Sequence, residues 1–248
     1  MAQMPEFGAQ PETAIKIKES AGMRLFRSPA FVWAATVTAV MSAVAMIYPG
    51  IDLGAARYFY VPGQGFPASN ETAMLALRSA GRIVPGVAIA GVVLLAIYRL
   101  VSRAPLRFLN DRALAFLALC FSVAPGLIVN LLLKSHWGRP RPLATQDFGG
   151  PLPFTPAWSW WGACPSNCSF VSGEASTAMM LMAFVFVVPA RYRIWTLSAV
   201  LIWTAVISLN RVAFGAHYLS DVVIACGLTL ACIAIFKVLV LDRTDAKT

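Results

Sequence analysis

Three short polar clusters border long apolar runs in this 248-residue chain. The first reads Lys134-Ser-His-Trp-Gly-Arg139-Pro-Arg141-Pro142. The second reads Ser169-Phe-Val-Ser172-Gly173-Glu174. The third is Asn210-Arg211, followed by His217 and Asp221. Ionisable groups are costly near a bilayer and mark functional sites there. Together the clusters hold cations, hydroxyls, two imidazoles and two carboxylates. Phosphoryl transfer without a metal needs charge to hold the anion, a nucleophile and a proton donor.

Each cluster also has a plainer reading. Guanidinium groups at Arg139 and Arg141 bind phosphate oxygens through paired donors, with Lys134 as a point charge. The same residues at a helix end could instead snorkel to lipid headgroups. Ser172, Gly173 and Glu174 precede an apolar helix, whose first N–H groups can bind an anion. Simple capping by Ser172 explains that pattern equally well. Asp221 follows His217 by four residues, so a carboxylate could fix the imidazole tautomer and leave the other nitrogen to attack. The alternative is a buried histidine beside a capping aspartate. His136 reads as an interfacial residue. Trp158, Trp160, Trp161 and Phe154 read as an interface belt or as a wall against acyl chains.

The elements that must position these groups are apolar. The chain is 58% hydrophobic and 12% charged, where a soluble domain carries about a quarter charged residues. The net charge of +9 lies in short loops between apolar blocks, which points to topology and anionic headgroups and away from nucleic acid. Six apolar spans run over Phe31–Tyr48, Ile83–Val101, Ala113–Leu133, Ala175–Ala190, Ile194–Leu209 and Val222–Leu241. Each approaches the ~20 residues that cross ~30 Å of hydrocarbon as helix, so the expected fold is an all-α, six-helix transmembrane bundle. Pro85, Pro125 and Pro189 are expected to kink or end helices.

Residues 1–28 form a polar segment without a cleavable signal pattern, and Ala14–Phe26 is expected as a short interfacial helix. Residues 29–242 form the membrane domain and 243–248 a tail. Lys16, Lys18, Arg24, Arg27, Arg99, Arg103, Arg107, Arg112, Arg191, Arg193, Arg243 and Lys247 enrich one side, expected to be cytoplasmic. Arg57, Arg78 and Arg82 fall on the other side. All three clusters then share that external face. Cys120, Cys226 and Cys232 sit within apolar blocks as packing residues. Cys164 and Cys168 flank a polar loop; they form a disulfide if it faces an oxidising compartment and are free thiols otherwise.

The spacing of these motifs resembles the type 2 phosphatidic acid phosphatase superfamily. Its signature begins with Lys, six residues and Arg-Pro, matched by Lys134 and Arg141-Pro142. Its Pro-Ser-Gly-His is matched by Val171-Ser172-Gly173-Glu174, and its Ser-Arg, five residues, His, three residues, Asp by Asn210-Arg211, His217 and Asp221. The resemblance implies that His217 is a nucleophile forming a phosphohistidine and that Asp221 orients it. It implies that Lys134, Arg141, Ser172, Gly173 and Arg211 bind phosphate, with Arg139 accessory, and that no metal or other cofactor is required. Glu174 stands where the family has its second histidine, the leaving-group acid. The Glu form is similar to bacterial lipid A phosphatases, chiefly of the 1-phosphatase type. The expected activity is hydrolysis of a lipid phosphate at the external leaflet of a bacterial inner membrane. Undecaprenyl diphosphate and phosphatidylglycerophosphate are alternative substrates, and lipid phosphotransfer is an alternative outcome. An inactive lipid-binding scaffold and a transporter are the readings from other classes.

Overall fold

The computed structural model describes residues 21–106 and 109–243. Lys16, Lys18, Arg107, Lys247 and most of the expected interfacial helix lie outside them. The described residues are helical, with two isolated β-bridges and no strand. A short helix α1 (Ala21–Phe26) leads into α2 (Pro29–Ile47), which starts at a Ser28 N-cap with a proline in its first turn. Then come α3 (Gly50–Tyr58), α4 (Thr72–Ser102), α5 (Asp111–His136), α6 (Gly173–Phe186), α7 (Ala190–Ala213) and α8 (Leu219–Leu241).

Five of these, α2, α4, α5, α7 and α8, are long and apolar enough to cross a membrane. The fourth expected span is the shorter α6, which tightens from α-helix to 3-10 turns at Leu181 and stops before Pro189. Trp33, Leu100, Val101 and Trp195 point outward from the bundle. In water such a surface would be unfavourable, and in lipid it is the ordinary exterior. α2 lies along α8, and a Cβ at Gly227 would collide with Thr38, so glycine permits that close approach.

The helices extend past the apolar windows. α4 begins eleven residues before Ile83 and so carries Arg78 and Arg82. α7 runs on through Asn210 and Arg211. A hydropathy run stops at the first charges, whereas backbone hydrogen bonding continues while one helix face stays packed. α4 also passes through Pro85 without ending, and α5 crosses Pro125 by widening to π-helical turns over Val123–Leu133. Proline lacks the donor that the tighter turn needs, and π turns recur at functional sites.

The long connection between α5 and α6 folds back on itself. Cys164 N–H donates to the Gly138 carbonyl and Ser169 N–H to that of Arg139, both at 2.8 Å. Cys164 and Cys168 are joined by a disulfide. These contacts carry the first cluster onto the ends of α6 and α8.

Candidate active site

The site is built on a buried charge cluster. Arg139 is completely buried. Its Nη1 donates to Asp221 Oδ1 at 2.5 Å and to Ser220 Oγ at 2.9 Å. Its Nη2 donates to Asp52 Oδ2 at 2.7 Å, and its Nε donates to the Thr155 carbonyl at 2.8 Å. The guanidinium also lies over the Tyr218 ring at 4.3 Å and the Phe154 ring at 5.7 Å. Burial alone would lower its pKa, and the Asp221 and Asp52 carboxylates reverse this and raise it. Arg139 anchors Asp221, with four of its five N–H groups on these partners.

Asp221 opens α8, where Oδ2 accepts the Tyr218 N–H at 2.9 Å in a capping box. The same oxygen accepts Ser169 Oγ–H at 2.5 Å. With both oxygens occupied, the direct bond to His217 expected from the four-residue spacing does not form: Nδ1 is 3.8 Å from Oδ2. His217 Nδ1 instead makes a 2.7 Å hydrogen bond to the Ser169 carbonyl. A carbonyl only accepts, so Nδ1 carries the proton and Nε2 keeps its lone pair. Asp221 thus acts on the imidazole through Ser169 and through its charge. Burial pushes the His217 pKa down to about 4, Asp221 opposes the shift, and the charges of Lys134 and Arg211 add to it. The ring is neutral at physiological pH.

Arg211, in the last turn of α7, is 2% exposed, and its Nε and Nη1 have no hydrogen-bond partner among the described residues. It lies over the Phe214 ring at 5.2 Å, and its Nε is 3.3 Å from Glu174 Oε2. Arg78 Nε approaches Glu174 Oε1 at 3.6 Å, and its guanidinium lies 5.9 Å from the same Phe214 ring. Glu174 therefore sits between two guanidinium groups. Lys134 lies within the fields of Arg141, Glu174, Arg211 and Asp221. Arg141 is held by Asn167, its Nε 3.1 Å from the backbone carbonyl and its Nη2 2.7 Å from the side-chain oxygen. Burial and the Arg78 charge lower the Arg141 pKa. The disulfide loop thus sets the aim of a motif arginine.

Ser172 is the N-cap of α6, its Oγ accepting the Ala175 N–H at 3.3 Å, and its hydroxyl hydrogen is left to donate. Gly173 lets α5 come close, because a Cβ there would stand 2.9 Å from Asn130 Oδ1 and 3.5 Å from Lys134 Nζ. Lys134, Arg141, Ser172, Gly173, Glu174, Arg211, His217 and Asp221 are thus drawn together from α5, α6, α7, α8 and their connections. No group of three or more His, Cys, Asp or Glu among the described residues could hold a metal ion.

Several contributors escaped the sequence reading. Asp52, 2% exposed on α3, accepts from Arg139 and from Ser220 N–H and Oγ. Ser169 acts through its carbonyl and its hydroxyl. By hydropathy Arg78 and Arg82 fall before the apolar window, as loop charges. Their spacing of four on one helix face is the signal that could have flagged them.

The family described as the PAP2 superfamily matches residues 115–245. A lipid A 4'-phosphatase of Rhizobium leguminosarum is 36% identical over 199 residues, which cover 73% of this chain and 84% of the relative. Proteins of the same name from Rhizobium etli and Francisella tularensis subsp. novicida are 49% and 38% identical, over 40% and 47% of this chain and 39% and 53% of their own lengths. No solved structure matches the chain significantly.

Proposed function

The chain belongs to the PAP2 superfamily, and on that footing we propose that it removes a phosphate from lipid A through a covalent intermediate on His217. The relatives' name favours the 4' position over the 1 position. In this reading the His217 Nε2 lone pair attacks phosphorus, the bond from phosphorus to the sugar oxygen breaks, and a phosphohistidine forms. Water then attacks phosphorus, the N–P bond breaks, and inorganic phosphate leaves. As Nε2 gives up its lone pair, the imidazole gains positive charge. The Ser169 carbonyl holds its Nδ1–H, and the Asp221 carboxylate offsets the charge. Lys134, Arg141 and Arg211, with the Ser172 hydroxyl and the Gly173 N–H, meet the negative charge on the phosphoryl oxygens. Glu174, set between Arg78 and Arg211, acts as a positioning residue, and the leaving oxygen takes its proton from solvent.

The observation that carries this reading is Arg211. Burying a guanidinium with two donors that lack a hydrogen-bond partner among the described residues is costly, and a phosphate offers the paired oxygens that suit them. The membrane domain over residues 29–242 would present this face outward. The Lys and Arg distribution and the Cys164–Cys168 disulfide, which suits an oxidising compartment, support that orientation.

The test is release of inorganic phosphate from lipid A by the purified full chain in chelator. Release lost in His217→Ala supports the reading. No release from the wild type contradicts it. A phosphorylated lipid acceptor in place of free phosphate makes the chain a phosphotransferase.

A further inference from the structure

Arg78 and Arg82 belong to none of the three motifs, yet both reach the site from α4. Arg82 lines a cavity of about 240 Å³ with Pro85, Asn130, Lys134, Gly173 and Glu174. Arg78 is tied to the same Glu174, and Arg211 lies within the fields of both. Arg82 is exposed, and the Arg78 Nε has no hydrogen-bond partner among the described residues.

Charge balance bears on what these groups take. Arg78, Arg82, Lys134, Arg141 and Arg211 gather around the Glu174 carboxylate, and Asp221 also acts on Lys134 and Arg141. The buried Arg139 with Asp52 and Asp221 contributes one further negative charge. A phosphate monoester brings about two more at neutral pH. The site remains positive with that one phosphate bound. Uncompensated like charges in a partly dehydrated cavity repel one another strongly. An additional anion would relieve this.

Resting on the proposed lipid phosphatase activity, we propose that Arg78 and Arg82 form a second anion subsite. It takes an oxyanion group joined to the same headgroup as the phosphate under attack, and so selects headgroups bearing two anions. Glu174 divides the two subsites. It pairs with Arg78 on one side and Arg211 on the other, holding both guanidinium groups close before substrate arrives.

The test is isothermal titration of the purified full chain with orthophosphate and with pyrophosphate at equal ionic strength. Pyrophosphate supplies two linked anions and is expected to bind about tenfold more tightly, the scale of one added charge-assisted contact. Arg82→Gln should remove most of that advantage and leave orthophosphate affinity within about twofold, with Arg82→Lys retaining part of it. Equal binding of the two anions by the wild type, or binding of neither, overturns the proposal. So does an equal loss for both anions in Arg82→Gln, which would make Arg82 a general lipid-facing charge. Two orthophosphates per chain with no preference for pyrophosphate also overturn it, because the second occupant would then be free phosphate. Binding needs no turnover. A retained pyrophosphate preference in a preparation that releases no phosphate from lipid A would defeat the proposed activity and leave the subsite standing.

Discussion

Arg139 and Arg211 are equally hidden from solvent and belong to two of the same three motifs, yet their surroundings are opposite. Arg139 is enclosed by two carboxylates, a hydroxyl, a carbonyl and two aromatic rings. Arg211 has one ring, one carboxylate and two donors without a hydrogen-bond partner among the described residues. A buried charge that is fully paired holds structure. A buried charge that is underpaired is costly until an anion arrives. Burial alone therefore does not tell a scaffold arginine from a ligand-binding one; the count of occupied donors does.

The largest expected effect breaks the scaffold side. Arg139→Gln leaves Asp52 and Asp221 buried without their cation and should cost about 3–5 kcal/mol of stability. Thermal unfolding in detergent reads this as a large fall in Tm or a failure to accumulate folded protein. A folded, inactive Arg139→Gln of normal Tm would put Arg139 on the ligand side and erase the contrast.

Arg211→Lys tests the other half. It keeps the charge and removes the paired donors, so kcat/KM should fall about 10²–10³-fold, as when a preorganised oxyanion donor is lost. Tm should stay near that of the wild type, because no hydrogen bond from Nε or Nη1 to the described residues is broken.

Glu174→Gln sharpens the comparison at the boundary between the two regions. Loss of an ion-pair partner that only spaces Arg78 and Arg211 should lower kcat/KM less than about tenfold. A general acid would cost about 10²–10⁴-fold, and a fall of that size would return Glu174 to the role of proton donor.

The smallest effect is in pH. His217, held down to about 4 by burial, is neutral above that value and protonated below it. The free-enzyme kcat/KM should show no loss from imidazole protonation between pH 8 and about 5, and should fall as pH drops through about 4. The unfolded imidazole titrates near its ordinary value of about 6.5. Its contribution to stability is therefore fully present above about 6.5 and is lost as pH falls toward 4. A kinetic fall centred near 6.5 would mean an imidazole open to solvent.

The motif spacings were legible because each places polar groups at a fixed offset from a helix end. Lys134 closes α5, Ser172 caps α6, Arg211 ends α7 and Asp221 starts α8. Once the apolar faces pack, those ends converge. Asp52 was not legible: it lies 87 positions from Arg139, and no local pattern marks a pairing made only by the tertiary fold. The Ser169 carbonyl was hidden for a different reason, since every residue has one. Arg78 and Arg82 were visible as charges but were assigned to a loop, because the apolar window of α4 begins after them. The split between Arg139 and Arg211 depended on what each donor meets, which spacing does not encode.

The most direct test of the central claim is rapid acid-free quenching of the purified chain with radiolabelled lipid phosphate, followed by mapping of the labelled residue. An acid-labile, alkali-stable phosphoryl group on His217 is expected, absent from His217→Ala along with turnover. Full turnover by His217→Ala, or the label on any other residue, would contradict it.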